Sequence, residues 1–165
     1  VDLDEHLRSR SNPDVFFAGD AIATKPQLSA VATYEGRIVG HNLTRENMIS
    51  PDYQSVPSVV FSVPALATVG LTEEEARKRS LDVDVKKSDM REWRSARTYA
   101  ETAAFAKVLV GKSSGRILGA HLLGHGAPET IHAFAFAIKH GLGAEDLRET
   151  VYAYPTFHSD LRFLV

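Results

Sequence analysis

The sequence predicts an α+β fold, an antiparallel sheet with flanking helices, preceded by one strand and one helix of α/β type. Three observations lead there. An apolar run ending in Gly-Asp is closely followed by a helical pattern. A Pro- and Ser-rich stretch then breaks the texture, and beyond it β-prone runs precede helices instead of alternating with them.

The apolar run "VFFAGD", residues 15–20, reads as a buried strand that delivers a carboxylate at its C-terminal end, where ligands sit in α/β sheets. In "LSAVATYEGRIVGHNLTREN" Ser29 can cap a helix carrying Val31, Tyr34, Ile38 and Val39 on recurring faces. "MISPDYQSVPS" loses that periodicity, and a boundary is expected between residues 51 and 57, dividing a segment 1–52 from a domain 53–165. "SVVFSVPALATVG" is β-prone, but Pro64 within it favours an edge strand or a bulge. Thr72 and Glu75 form a T-x-x-E capping box that opens a charged helix running to Ser80. "LDVDVKK" alternates as a half-exposed strand should, and "FAKVLVGKSSGRILGAHLLG" is a hairpin around residues 112–115. Pro128 starts a helix that Gly141 stops, with Lys139 and His140 in its last turn, and "AEDLRETV" is a second, shorter helix.

Composition narrows the function. Of 165 residues 44% are hydrophobic and 24% charged, the balance of a chain that packs a core. Lys and Arg total 19 against 21 Asp and Glu, a formal charge of -2, so no basic surplus points to nucleic acid or an anionic membrane. No run approaches the about 18 apolar residues of a membrane span, and no secretory pattern opens the chain, so a cytosolic protein is expected. With no Cys there is no disulfide, thiolate metal site or redox thiol in this chain. Val1 opens in mid-pattern, which suggests a fragment.

Among the motifs, Asp20 is suited to binding the hydroxyls of a polyol, because a carboxylate at a strand end accepts their hydrogen bonds in fixed orientation. Gly-Asp is also an ordinary turn. The amides of Leu28, Ser29 and Ala30, at the start of the following helix, carry partial positive charge and favour a nearby anion. His121, His125 and His132 follow no metal-ligand spacing, and no metal site is expected. "GAHLLGHGA" lacks the Lys and Ser/Thr of a phosphate loop. The letters of "HSD", residues 158–160, are adjacent and cannot form a relay, so a hydrolase is set aside. The apolar residues Phe134, Phe136 and Ile138 are core, or a subunit interface where they are exposed.

On these residues the chain resembles the class I pyridine nucleotide-disulfide oxidoreductases, the group of glutathione reductase, dihydrolipoamide dehydrogenase and mercuric reductase. "FAGD" is similar to the family's second FAD motif, which implies that Gly19 and Asp20 lie at the flavin's ribityl chain. "LSAVA" is similar to its L-T-P-V-A helix start, which implies that Leu28, Ser29 and Ala30 present amides to the flavin's O2 edge. From about Pro57 onward the chain resembles the C-terminal interface domain, so the fold implied is a reductase dimerisation domain preceded by the last strand and helix of an FAD-binding α/β domain. The resemblance implies a homodimer using FAD, with NAD(P)H bound by a domain, and redox cysteines carried on a segment, that would lie upstream of Val1. The chain alone is then expected to be inactive. The rival is a free-standing, non-enzymatic dimerisation or protein-binding module.

In the disulfide reductases this domain ends in H-P-T-x-x-E, whose His, held by the Glu, moves protons at the redox thiols. Here Tyr154, Pro155 and Thr156 occupy H-P-T, and Ser159 falls where the Glu would be. A free His titrates near about 6.5 and a free Tyr near about 10, so Tyr154 suits an acid better than a base. The catalytic candidates are Tyr154 and His158, with Pro155 beside the flavin. Tyr154 reads equally as a packing residue over the flavin or a hydrogen-bond donor, and His158 as a surface residue. The electron acceptor expected is a small molecule that needs no imidazole base, such as a quinone or a metal ion.

Overall fold

The computed structural model describes residues 1–165 except Thr24 and Lys25, which belong to the loop expected after the first strand. The chain forms two compact units, Val1–Tyr53 and Gln54–Val165. No helix among the described residues is long and apolar enough to cross a membrane.

In the first unit the run 15–20 does not form the expected strand. A strand needs a partner along its length. Phe16 makes only an isolated antiparallel bridge with Arg8, flanked by bonds from the Ser9 amide to the Val15 carbonyl and from the Phe17 amide to the Leu7 carbonyl. The run ends in a 3-10 turn, Gly19–Ala21, and the helix α1 follows at Ser29–Thr44. Ser29 is not the cap: Leu28 is, extended at φ -129° and ψ 140°, while Ser29 is already helical. Val31, Glu35, Ile38 and Asn42 form the buried stripe of α1, at the i, i+4, i+7 spacing of one helix face. A small core gathers Leu7, Ile22 and Ile38, with Leu3, Phe17, Tyr34 and Val39 packed against it.

The second unit is a five-stranded antiparallel sheet in the order β1-β2-β5-β4-β3. Its strands are β1 (Ser58–Val60), β2 (Leu66–Gly70), β3 (Val83–Asp89), β4 (Phe105–Gly111) and β5 (Ile117–Leu123). Pro64 sits in neither of the first two strands: it lies in the connection between them, leaving β1 as a three-residue edge where no donor is lost. The helix α2 (Glu73–Lys78) begins with the expected capping box, Thr72 Oγ1 accepting from the Glu75 amide at 3.1 Å and Glu75 accepting from the Thr72 amide at 2.8 Å. A short helix α3 (Arg94–Thr98), not foreseen from the sequence, precedes β4.

Ala106, Val108 and Val110 of β4, Ala120 and Leu122 of β5, and Ala67 and Val69 of β2 build the core. The helix α4 (Ala127–His140) covers β2 and β5 with Ile131, Phe134 and Ala137, and ends at Gly141 in the left-handed region, φ 66°. After α5 (Ala144–Glu149), the 3-10 turn Phe157–Asp160 leads into α6 (Leu161–Leu164), whose Leu161 and Leu164 complete the core beside β3 and β4. Burying Phe134 contributes about 1.5–3 kcal/mol of transfer energy. A polar row crosses the sheet, Thr68, His121, Lys107 and Lys87 being paired in register, and Lys107 bonds Glu73 of α2 at 3.2 Å.

Candidate functional site

The sequence-derived site residues fall into two groups, one in each unit. In the first, Gly19 takes φ 67°, a region that favours glycine, and an added Cβ would stand 3.1 Å from the Ala32 Cβ of α1. The turn therefore packs closely on the helix. Its amide donates to Glu35 Oε2 at 2.6 Å, and Ile22 closes the turn by donating to the Gly19 carbonyl at 2.9 Å. Asp20, next in the chain, is exposed. Of the three amides singled out, that of Leu28 donates to the Pro26 carbonyl at 3.1 Å, whereas Ser29 and Ala30 are exposed and open a helix with no side-chain cap. An exposed carboxylate and uncapped amides lie in one unit, the chemistry that a polyol and an electron-rich ring edge require.

Glu35 belongs to none of the sequence motifs above, yet it holds this turn. It is 0% exposed, and its second oxygen accepts from the Tyr53 hydroxyl at 2.6 Å. Burial and the neighbouring carboxylate push the Tyr53 phenol well above its usual range.

In the second unit Tyr154, Pro155 and Thr156 line a cleft of about 130 Å³ together with Arg94, Tyr99 and Asp160. Tyr154 is 72% exposed, and the Arg94 guanidinium lies 5.8 Å from its ring centroid. Thr156 caps the following turn: its Oγ1 accepts from the Ser159 amide at 3.1 Å, and Ser159 Oγ accepts from the Thr156 amide at 3.3 Å. Ser159 is thus buried in a capping box. His158 is half-buried in that turn and does not line the cleft. The structure brings Tyr154 together with Asp160, one residue beyond Ser159, and not with His158.

Asp160 is half-buried and accepts a hydrogen bond from the Ser95 hydroxyl of α3. Burial raises its pKa above the ordinary carboxylate range, against the lowering effect of Ser95. The cleft wall is set by an aromatic stack: the Tyr99 ring lies 4.5 Å from His125 and 5.4 Å from Phe157, between centroids. Gly126 underlies Phe157, and a side chain there would strike the ring. The other histidines have structural surroundings. His121 Nε2 is 3.1 Å from the Leu71 carbonyl, and burial lowers its pKa. His132 is exposed on α4, and no group of three His, Asp or Glu among the described residues is arranged to hold a metal ion.

Comparison with known proteins places this geometry in a family context. The family described as pyridine nucleotide-disulphide oxidoreductase, dimerisation domain, matches residues 56–163. A Staphylococcus aureus protein described as an uncharacterized 19.7 kDa protein in the mercuric resistance operon is 38% identical over 166 residues, covering 100% of this chain and 92% of its own. Dihydrolipoyl dehydrogenase of Bacillus subtilis is 36% identical and chloroplastic/mitochondrial glutathione reductase of Pisum sativum 34% identical. Each aligns with 94% of this chain, which spans only 33% and 28% of their lengths. The solved structure of the HOCl-induced flavoprotein disulfide reductase RclA from Escherichia coli matches with a TM-score of 0.87 at 29% identity, over 98% of this chain and 37% of that one.

Proposed function

Since this chain belongs to the pyridine nucleotide-disulphide oxidoreductase dimerisation family, we propose that it joins two subunits of a homodimeric, FAD-dependent NAD(P)H oxidoreductase and supplies part of the flavin site. The observation that carries the flavin half is the turn at Gly19, which presents the exposed Asp20 in the same unit as the uncapped start of α1. With flavin bound, the Asp20 carboxylate would accept hydrogen bonds from its polyol chain, and the amides of Ser29 and Ala30 would donate to the electron-rich edge of its ring. Bound flavin supplies the two-electron chemistry.

Tyr154 is directed outward from its own unit, and its exposure supports a role toward a group outside this chain rather than packing within it. Its phenol is a hydrogen-bond donor available to that group, and Arg94 lies against its ring. Asp160 supplies the cleft with a carboxyl group whose protonated form burial favours. A phenol and a carboxyl without an imidazole base suit a small electron acceptor better than a dithiol cycle.

A second reading is favoured by one observation. The staphylococcal relative matches over 92% of its own length, which supports a self-standing association module. The native gene product, purified without added cofactor, separates the two. Visible flavin absorbance with NAD(P)H oxidation is the expected result, and a colourless product with no such oxidation would overturn the flavin reading in favour of association alone.

A further inference from the structure

Among the described residues Glu35 is the only acidic or basic side chain that is fully buried. Burying a carboxylate is costly unless its oxygens are well bonded. Here each oxygen has a donor at 2.6 Å, the Gly19 amide on one side and the Tyr53 hydroxyl on the other. The preceding residue acts on the same segment, the Tyr34 hydroxyl accepting from the Asp52 amide at 2.9 Å. Two adjacent residues of α1 therefore hold the segment 52–53, and one of them also holds the turn that carries Asp20.

Three features converge on that turn. Gly19 adopts a backbone conformation that few other residues take, it packs so closely on Ala32 that an added Cβ would make an unusually tight contact, and its N–H ends on the buried carboxylate. Ala32 and Glu35 lie one turn apart on α1, so the helix fixes the turn from two points. Without the carboxylate, the Gly19 amide would be left without this acceptor.

We propose that Glu35 is a positioning residue: its buried carboxylate fixes the Gly19 turn so that Asp20 is presented to its ligand, and ties that turn to the segment 52–53 through Tyr53. Glu35 does not touch the ligand. The part that concerns flavin rests on the function proposed above, whereas the fixing of the turn does not.

The test is amide hydrogen exchange at Gly19 in the wild-type chain and in Glu35→Leu, Glu35→Gln and Tyr53→Phe, with FAD titrated into the same samples. Glu35→Leu is expected to speed Gly19 exchange roughly tenfold or more, as loss of one hydrogen bond allows, with the amides of α4 unchanged. Glu35→Gln, which keeps an acceptor, restores most of the protection, and Tyr53→Phe gives a smaller acceleration. FAD affinity follows the same order. Unchanged Gly19 exchange in Glu35→Leu would overturn the proposal, and unchanged exchange in Tyr53→Phe would overturn the tie to the segment 52–53. If Glu35→Leu fails to fold, Glu35→Gln and Tyr53→Phe decide it, equal wild-type protection in both counting against it. A wild-type chain that takes up no FAD counts against the flavin reading alone, because the exchange data still judge Glu35.

Discussion

Ser95 and Asp160 meet in the cleft that Tyr154 lines, the hydroxyl of α3 donating to Asp160 Oδ2. Burial raises the Asp160 pKa and this bond opposes the rise. Ser95→Ala therefore moves the carboxyl titration further upward, which carboxyl-carbon NMR reads directly. An unchanged or lower value would show that the bond does not act on Asp160 in solution.

The same shift makes a stability prediction. A carboxyl whose folded pKa lies above its unfolded value contributes stability that is present below the unfolded pKa and is lost as pH rises through the folded one. Asp160→Asn removes that loss. Relative to the wild-type chain, the variant should be more favourable at pH 7 than at pH 3 in urea unfolding, and a difference of the opposite sign would contradict the assignment.

Thr72 gives a pH dependence of the other sign. Its backbone and side-chain bonds hold the Glu75 carboxyl below the usual range, so their stabilisation is present above the unfolded pKa and is lost as pH falls through the folded one. Thr72→Ala should cost about 1 kcal/mol at pH 7 and less near pH 2, measured by urea unfolding, while Thr72→Ser should remain close to wild type.

Gly119 of β5 lies against the Leu71 backbone, and an added Cβ would collide with the Leu71 carbonyl, which cannot swing aside as a side chain would. Gly119→Ala should destabilise the second unit by on the order of 3 kcal/mol. A thermal midpoint equal to wild type would mean that β2 and β5 are not paired as described.

Tyr154 is exposed, so Tyr154→Phe should leave the unfolding free energy within about 0.5 kcal/mol. In the flavin-loaded protein it should lower turnover with the acceptor by on the order of 10² if the phenol donates a proton. Turnover unchanged on this substitution would return Tyr154 to a packing role.

What the sequence revealed was mostly local. The Thr72 and Glu75 box, the hairpin turn with Gly115 at φ 65°, and the helix that Gly141 stops are written in spacings of a few residues. The run 15–20 misled because its apolar letters fit a strand, whereas strand formation depends on partners that composition does not record. Helix α3 escaped notice because "REWRSARTYA" has no apolar period. Glu35 was legible in part: a glutamate between Val31 and Ile38, on the stripe that continues to Asn42, is a charged residue on a buried face. Nothing local marks Asp160, since its partner Ser95 is 65 residues away in sequence.

Sedimentation equilibrium of the chain at micromolar concentration decides whether residues 56–163, which match the dimerisation-domain family, associate two copies of the chain. A species of about twice 18.1 kDa is expected. A single-chain mass throughout that range would contradict it.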